Sequence, residues 1–252
     1  MHIIRVILSA DDLGLNETTN AAIFNLMSNG RVTSASLLAN GSAFEVAVIR
    51  ARDFPRSSFG VHLNLTQGFP LNAHPGLGVI LKPDGSFHRD KIRRLFIDQS
   101  LRRAVLAEWT AQVEKVFGSG LPVSHLDGHH HVHTNPGLFL TLKRLQKRFH
   151  IRRVRLTRNM HAPNALPPWT RRLAKAFWNL GLRYVYRTKT TEGFTSLKVF
   201  LETATNTRSP VQSVELAVHP GHPNFEEETR LLAGEWWKDL PFEIQTISYH
   251  EL

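Results

Sequence analysis

The stretch Val123-Ser124-His125-Leu126-Asp127-Gly128-His129-His130-His131-Val132-His133 carries a short predicted strand that runs directly into a cluster of histidines. Five of the chain's 14 histidines lie in its last nine residues, together with one carboxylate. Neutral imidazoles at this density are typical ligands of divalent transition metals, although histidine-rich tracts also bind metals adventitiously. We interpret residues 123–127 as a buried strand that delivers a metal site.

Other predicted strands also end on side chains that can bind metals or transfer protons. An apolar run leads into Asp11 and Asp12, another contains His62, and a third ends at His219. Each position has an ordinary alternative, since paired acids often cap a helix and a single histidine is often a hydrogen-bonded core or turn residue. Their shared place at the carboxyl ends of strands favours a functional interpretation, because α/β barrels gather their active sites there.

Apolar runs and helical periodicities alternate along the whole chain, which predicts parallel strands joined by helical crossovers. No repeat or linker interrupts the pattern, so we expect residues 1–252 to form a single domain of barrel size. The predicted strands span residues 3–10, 32–40, 59–65, 123–127, 154–156, 214–219 and 243–248. The predicted helices span residues 16–29, 44–52, 101–117, 136–149, 168–186 and 226–236, and residues 68–90 are expected to form a loop over one face.

Composition narrows the possible functions. The chain has no cysteine, which excludes disulfides and thiolate ligands and favours a cytoplasmic location, and no apolar run is long enough to span a membrane. The net charge of +10 is concentrated between residues 128 and 191, where 14 Lys and Arg meet no Asp or Glu. Such a block indicates an anionic partner, whether a membrane surface, a phosphorylated substrate or a nucleic acid, or else a solvated basic face.

Five motifs in order give the chain a resemblance to a known family. They are Ala-Asp-Asp-Leu-Gly-Leu (10–15), Val-Thr-Ser-Ala-Ser-Leu-Leu-Ala-Asn-Gly (32–41), Gly-Val-His-Leu-Asn-Leu-Thr (60–66), the histidine stretch (125–133) and Val-His-Pro-Gly (218–221). Together they resemble the YdjC-like carbohydrate deacetylases, which include chitooligosaccharide deacetylases and hopanoid-biosynthesis-associated (HpnK-like) proteins. The resemblance implies a distorted (β/α) barrel with mostly parallel strands, related to NodB-type polysaccharide deacetylases. It gives little help with the basic, variable segment 160–200.

The resemblance also implies roles for individual residues. Asp12, His62 and His129 match the family's metal ligands, Asp11 matches the general base and His219 the general acid. A further group is expected either to orient a ligand or to contact the sugar: His125, Asp127, His131, His133 and Arg155. Leu13 departs from the family's usual phenylalanine, which we expect to alter packing rather than chemistry.

The predicted activity is hydrolysis of an N-acetyl group on an amino sugar, with one divalent metal, zinc or magnesium, as cofactor. The substrate is expected to be an N-acetylated oligosaccharide or a lipid-linked amino sugar. Residues 167–189 combine Trp169, Phe177 and Trp178 with basic residues, which suits either a helix at an anionic membrane surface or packing against the barrel or a second subunit. A non-catalytic metal- or sugar-binding module and a nucleic-acid-binding protein are the alternatives; the latter lacks a recognisable motif.

Overall fold

A computed structural model describes residues 3–204 and 211–252. Seven strands carry the fold: β1 (Ile3–Leu13), β2 (Ser34–Leu37), β3 (Ser58–Leu63), β4 (Val123–Gly128), β5 (Gly193–Ser196), β6 (Ser213–Val218) and β7 (Glu243–Thr246). The helices are α1 (Glu17–Ser28), α2 (Phe44–Ala51), α3 (Lys91–Arg94), α4 (Gln99–Gly118), α5 (Phe139–Phe149), α6 (Trp169–Tyr184), α7 (Leu197–Ala204) and α8 (Glu226–Ala233).

The strands form one sheet in the order β4-β3-β2-β1-β6-β5, and β7 pairs with the first residues of β1. Every pairing between these strands is parallel. The gap between the outer strands β4 and β5 is bridged by residues 152–160, whose backbone bonds to Leu126 on one side and to Lys189 and Phe194 on the other. A sheet closed by an irregular segment is a distorted barrel, so the predicted fold class is confirmed.

The strands alternate polar and apolar side chains, and the polar ones face the barrel interior. Ser34 and Ser58 hydrogen-bond to each other across adjacent strands at 2.6 Å, and Glu215 of β6 bonds Arg155 within the barrel. The apolar residues between them pack outward against the helices as one large core. Because the pleat alternates direction at each residue, a strand that is buried on both sides can carry a polar interior and an apolar exterior. The barrel therefore has a charged centre.

The chain's last residues close the amino end of the barrel. Ile7, Ile247 and Tyr249 form a small apolar cluster separate from the outer core. The Tyr249 ring stacks on His125 with centroids 3.6 Å apart, and its hydroxyl donates to Glu215. The interior is therefore plugged at this end, which leaves the carboxyl end as the place for a site.

The structure corrects several predicted elements. Residues 154–156 do not form a strand. The backbone of this closing segment bonds alternately to Leu126 and to Lys189, so only isolated bridges form. In the variable segment, β5 and α7 were not predicted. The loop 68–90 contains a 3-10 helix at Pro75–Ile80, and α8 ends at Ala233, before the predicted boundary. No helix in the described ranges has the length and apolar character needed to cross a membrane.

Candidate active site

Two adjacent carboxylates face the same site because the backbone of β1 is irregular at its carboxyl end. The pairing of β1 with β2 shifts register between Ala10 and Leu13, and Asp12 has a left-handed φ of 67°. In a regular strand, Asp11 and Asp12 would point to opposite faces. A left-handed φ at a non-glycine residue is strained and is found mostly where function requires it. Here it brings both side chains to the carboxyl end of the barrel.

Three donor atoms converge on one point beside Asp12. The Asp12 Oδ1 atom lies 2.7 Å from His129 Nδ1 and 3.2 Å from His62 Nε2. All three side chains are buried. Neither contact has hydrogen-bond geometry, so the buried Oδ1 atom has no hydrogen-bond partner. These separations match the spacing of ligands around a single ion bonded at about 2.0–2.2 Å.

The second nitrogen of each histidine determines which atom faces the site. His62 Nδ1 lies 2.8 Å from Asp127 Oδ1, an acceptor, and His129 Nε2 lies 2.9 Å from Gln67 Oε1. With the ring protons donated to these oxygens, the lone pairs of His62 Nε2 and His129 Nδ1 both point toward the Asp12 carboxylate. Three lone pairs in contact repel one another unless a cation lies between them. The donor set of one oxygen and two nitrogens therefore fits a divalent metal.

The electrostatic environment at this point favours positive charge. Burial would lower the pKa of His62, but the carboxylates of Asp127 and Asp11 outweigh it and raise the pKa to about 10. Burial would raise the pKa of Asp12, but His129 and His62 hold it well below its usual range. The negative potential of the carboxylates thus attracts either protons or a metal ion to the same donor atoms.

Arg155 is the fixed cation of the barrel interior. Its guanidinium binds both oxygens of Asp11, at 2.7 and 2.8 Å, and also contacts Asp127 and Glu215 at 2.8 and 2.7 Å. A second group of potential ligands, Asp11, His62 and Asp127, therefore already has a resident positive charge. This difference favours the group around Asp12 as the metal site.

His219 follows β6, the strand that pairs with β1, and faces Asp11 from that neighbouring strand. Its Nε2 atom lies 3.7 Å from Asp11 Oδ2, and its ring stacks on Phe225 with centroids 4.5 Å apart. Burial would lower the pKa of His219, but Glu228, Asp11 and Asp12 outweigh it, so the pKa is raised. A half-buried, protonated imidazole beside a carboxylate can donate a proton to a leaving group.

The other histidines of the cluster lie around the site without joining the Asp12 group. His125 is deep in the barrel against Tyr249, and His133 approaches the Arg155 carbonyl at 3.3 Å. Burial lowers the pKa of both to about 3, so they are neutral. His131 is half-buried and lies edge-on to Phe194 with centroids 5.7 Å apart. Left-handed φ angles at His130 and His131 turn the chain so that successive rings point in different directions.

His130 forms no ion pair with the Asp12 carboxylate in the described part of the chain, because its ring lies against the ring of His129 instead. The two ring centroids are 4.0 Å apart with the planes tilted by 39°, and the His130 Nδ1 atom lies 2.9 Å from Thr66 Oγ1. It therefore supports the position of His129 from outside.

Sequence reasoning missed four polar residues that orient the candidate ligands. Gln67 and Ser36 contact His129 and His62, Glu228 lies 3.7 Å from His219, and Glu215 bonds Arg155. Ser36 lies within the motif at 32–41, and Gln67 directly follows the motif at 60–66. Their place in or beside these motifs was the signal that could have identified them. Glu228 comes from a helix, and nothing local indicates its contact.

A groove lies beside the site, between the histidine cluster and α6. The cavity has a volume of about 910 Å³, and its lining includes His130 and His131, which follow the candidate ligand His129, and Phe177 and Trp178 of α6. Arg158, Arg171 and Lys175 add positive charge to its wall. The groove can therefore hold a ligand much larger than acetate, with both apolar and anionic parts.

Comparisons with known proteins agree with this architecture. Residues 5–242 match the sequence model of the YdjC-like protein family. The chain is 38% identical over 163 residues to a carbohydrate deacetylase of Geobacillus stearothermophilus, an alignment that spans 64% of this chain and only 62% of that relative. It is 28% identical over 219 residues to a carbohydrate deacetylase of Halalkalibacterium halodurans, covering 86% and 85% of the two chains. A crystal structure of an Enterococcus faecalis V583 protein, provisionally named for cellobiose-phosphate cleavage, superposes with a TM-score of 0.78 at 19% identity over 99% of this chain and 98% of that one.

Proposed function

The chain belongs to the YdjC-like protein family, and from that premise we propose that it is a metal-dependent hydrolase that removes the N-acetyl group of an amino sugar and releases acetate. The carbohydrate deacetylases among its relatives support the reaction class. The observation that carries the proposal is that His129 Nδ1 and His62 Nε2 both lie within 3.2 Å of Asp12 Oδ1 at the open end of the barrel. A site of this kind leaves coordination positions for water and an acyl oxygen.

Asp12, His62 and His129 would hold the ion, and Asp127 and Gln67 would fix the two imidazole rings. A divalent metal bound there lowers the pKa of water and polarises a carbonyl oxygen.

The proton transfers belong to Asp11 and His219. Asp11 accepts the proton of the water whose oxygen forms a bond to the acetamide carbon. As the C–N bond breaks, His219 donates its proton to the amine nitrogen of the sugar, and the products are acetate and a free amino sugar. The 3.7 Å between His219 Nε2 and Asp11 Oδ2 allows a reacting amide to contact both groups in turn. The raised pKa of His219 favours the protonated form that this step needs.

Zinc and magnesium are both compatible with the site. Two imidazoles favour zinc or another late first-row ion, whereas a carboxylate with added waters accepts magnesium. The substrate is proposed to be either an N-acetylated oligosaccharide or a lipid-linked amino sugar, and the groove beside the histidine cluster offers room for the part of it beyond the acetamide. The single domain, the cytoplasmic location and the formation of a homo-oligomer expected from the sequence stay predictions.

The test is acetate release from a panel of N-acetylated oligosaccharides and glycolipids by protein stripped with a chelator and reloaded with one defined metal. We expect no acetate from the stripped protein and restored release with zinc or magnesium. Tight metal binding with no acetate from any substrate would contradict the proposal and leave a non-catalytic binding module. Acetate release that survives complete metal removal would also contradict it.

A further inference from the structure

Helix α6 is buried on one face and apolar on the opposite, exposed face. Trp178, Asn179 and Leu182 pack into the protein. Residues Trp169, Leu173, Phe177, Leu180 and Tyr184 are exposed, with Trp169, Phe177 and Tyr184 at 71%, 69% and 77%. At 3.6 residues per turn, these five positions fall within one narrow arc, opposite the buried face. We call these five residues the outer face of α6.

The outer face concentrates the apolar surface of the molecule. Seven of the 19 large hydrophobic residues that are exposed in the described chain lie between residues 166 and 185. Scattered exposed hydrophobics are ordinary, but a continuous apolar strip marks an interaction surface. In the described part of the chain the strip stays exposed, so it is available to a partner.

Positive charge borders one edge of the outer face. At 3.6 residues per turn, the exposed Arg172 and Arg183 fall beside the arc, whereas Arg171 and the half-buried Lys175 fall on the groove side of the helix. Among the described residues, none of these four forms an ion pair with a carboxylate. The chain offers no acidic residue from position 128 to 191 that could neutralise them.

We propose that the outer face of α6 is a docking surface for an anionic lipid bilayer. Aromatic and aliphatic side chains on one face of a helix enter the boundary between headgroups and acyl chains, and flanking Lys and Arg bind anionic headgroups. A two-fold contact with a second copy would set the same cations against each other. A nucleic acid would match the cations but leave the apolar strip in water. The bilayer alone matches both features.

Trp169 supplies a direct readout of docking. Of the chain's five tryptophans, Trp109, Trp178 and Trp236 are buried and Trp237 is partly buried, so Trp169 alone is largely exposed. Vesicles of phosphatidylcholine with phosphatidylglycerol should co-sediment the protein and shift its tryptophan emission to the blue. The variant Trp169→Phe should keep co-sedimentation but lose most of the blue shift. Co-sedimentation with an unchanged blue shift in that variant would place the contact elsewhere and overturn the proposal.

Two double variants separate the apolar and the ionic contributions. Trp169→Ser/Leu173→Ser should abolish co-sedimentation. Arg172→Gln/Arg183→Gln should weaken binding about 25-fold, since each charge near the surface contributes about fivefold. Matched controls on other helices, Val46→Ser/Ile49→Ser on α2 and Arg103→Gln/Arg144→Gln on α4 and α5, change exposed side chains of the same types and should bind as the wild type does.

Other outcomes would overturn the proposal. Equal binding to vesicles of phosphatidylcholine alone would show that anionic headgroups do not contribute to docking. A concentration-dependent dimer that Trp169→Ser/Leu173→Ser dissociates, without vesicle binding, would assign the face to a second copy. Binding to single-stranded RNA that Arg172→Gln/Arg183→Gln abolishes, without vesicle binding, would assign it to nucleic acid.

The groove beside the histidine cluster adjoins the docking surface, since Phe177 belongs to both. Of the two substrate types proposed above, docking favours the lipid-linked amino sugar; this step rests on the proposed function. Trp169→Ser/Leu173→Ser should lower acetate release from an acetylated glycolipid in anionic vesicles and leave release from a soluble oligosaccharide unchanged. Equal loss on both substrates would contradict this step. No release from either substrate, with vesicle binding intact, would contradict the proposed function and not the docking surface.

Discussion

Arg155 holds Asp11 through two parallel hydrogen bonds, Nη1 to Oδ2 at 2.8 Å and Nη2 to Oδ1 at 2.7 Å, with both side chains buried. The fork fixes the plane of the carboxylate, and each oxygen keeps a further lone pair for another partner. Asp11 is thereby oriented at the barrel mouth, with one oxygen toward His219. The same guanidinium contacts Asp127 and Glu215, so one cation pairs with three buried carboxylates of the interior.

The first prediction concerns the stability of this interior. Arg155→Met leaves three buried carboxylates without their counterion and should lower the free energy of unfolding by about 3–5 kcal/mol in urea. Arg155→Lys keeps the charge but loses the fork, so it should cost less stability while still reducing acetate release. Arg103→Met, at an exposed position of α4, is the control. A loss below about 1 kcal/mol in Arg155→Met would contradict the role of Arg155 as the central counterion.

The second prediction separates the two adjacent aspartates. Asp11→Asn should lower kcat by about 10²- to 10⁴-fold, as expected for loss of a general base, while the metal content stays near that of the wild type. Asp12→Asn should lose metal, since its Oδ1 atom meets both imidazole nitrogens. Metal-to-protein ratios after dialysis and initial rates of acetate release measure both effects. Loss of metal from Asp11→Asn would instead favour the group formed by Asp11, His62 and Asp127.

Sequence reasoning reached those parts of the site that local pattern controls. The apolar runs located the strands, and the polar residues that end them were found because parallel strands present their carboxyl ends together. It could not predict that Asp12 adopts a left-handed φ, because the bulge depends on pairing with β2. The alternation of polar and apolar residues along the strands is visible in the sequence. It was interpreted only as burial of the strands, and not as a polar barrel interior.

Contacts between distant segments were the main omission. Gln67 and Glu228 meet His129 and His219 only after the barrel has formed, and no spacing in the chain specifies those pairs. Residues 152–160 close the barrel by bonding alternately to two neighbours, so the three-residue apolar signal at 154–156 was mistaken for a regular strand. The exposure of Trp169 and Phe177 beside a buried Trp178 also required the packing of α6 to be known.

The third prediction is a pH dependence set by His219. The charged and titratable groups around it are Asp11 and Asp12 from β1, Glu228 from α8 and His131. The three carboxylates outweigh the effect of burial, so the pKa of His219 is raised. Since the general acid must be protonated, activity should persist to higher pH than for an ordinary histidine and then fall. Glu228→Gln keeps an oxygen for the His219 backbone N–H but removes the charge, so the alkaline limb of kcat/KM should move to lower pH.

Glu227→Gln, an exposed neighbour on the same helix, is the control for this effect and should leave the profile unchanged. An unchanged alkaline limb in Glu228→Gln would mean that His219 is not the group that titrates there.

The last prediction concerns Lys143, a buried ammonium that ties α5 to the end of α6. It donates to Leu182 O, Thr188 Oγ1 and Gln146 Oε1 at 2.8, 2.8 and 2.9 Å, and burial without a carboxylate lowers its pKa to about 8. The unfolded chain, with a lysine pKa of about 10.4, binds more protons between pH 8 and 10, so this group contributes more stability as pH rises through that window. The free energy of unfolding of the wild type relative to Lys143→Met should therefore increase by about 2–3 kcal/mol from pH 8 to 10, since one pKa unit corresponds to about 1.4 kcal/mol.

The control is Lys147→Met, at an exposed position of the same helix. The free energy of unfolding of the wild type relative to this variant should change little from pH 8 to 10. A wild-type advantage over Lys143→Met that stays constant with pH would mean that the ammonium is as well solvated in the folded protein as in the unfolded chain.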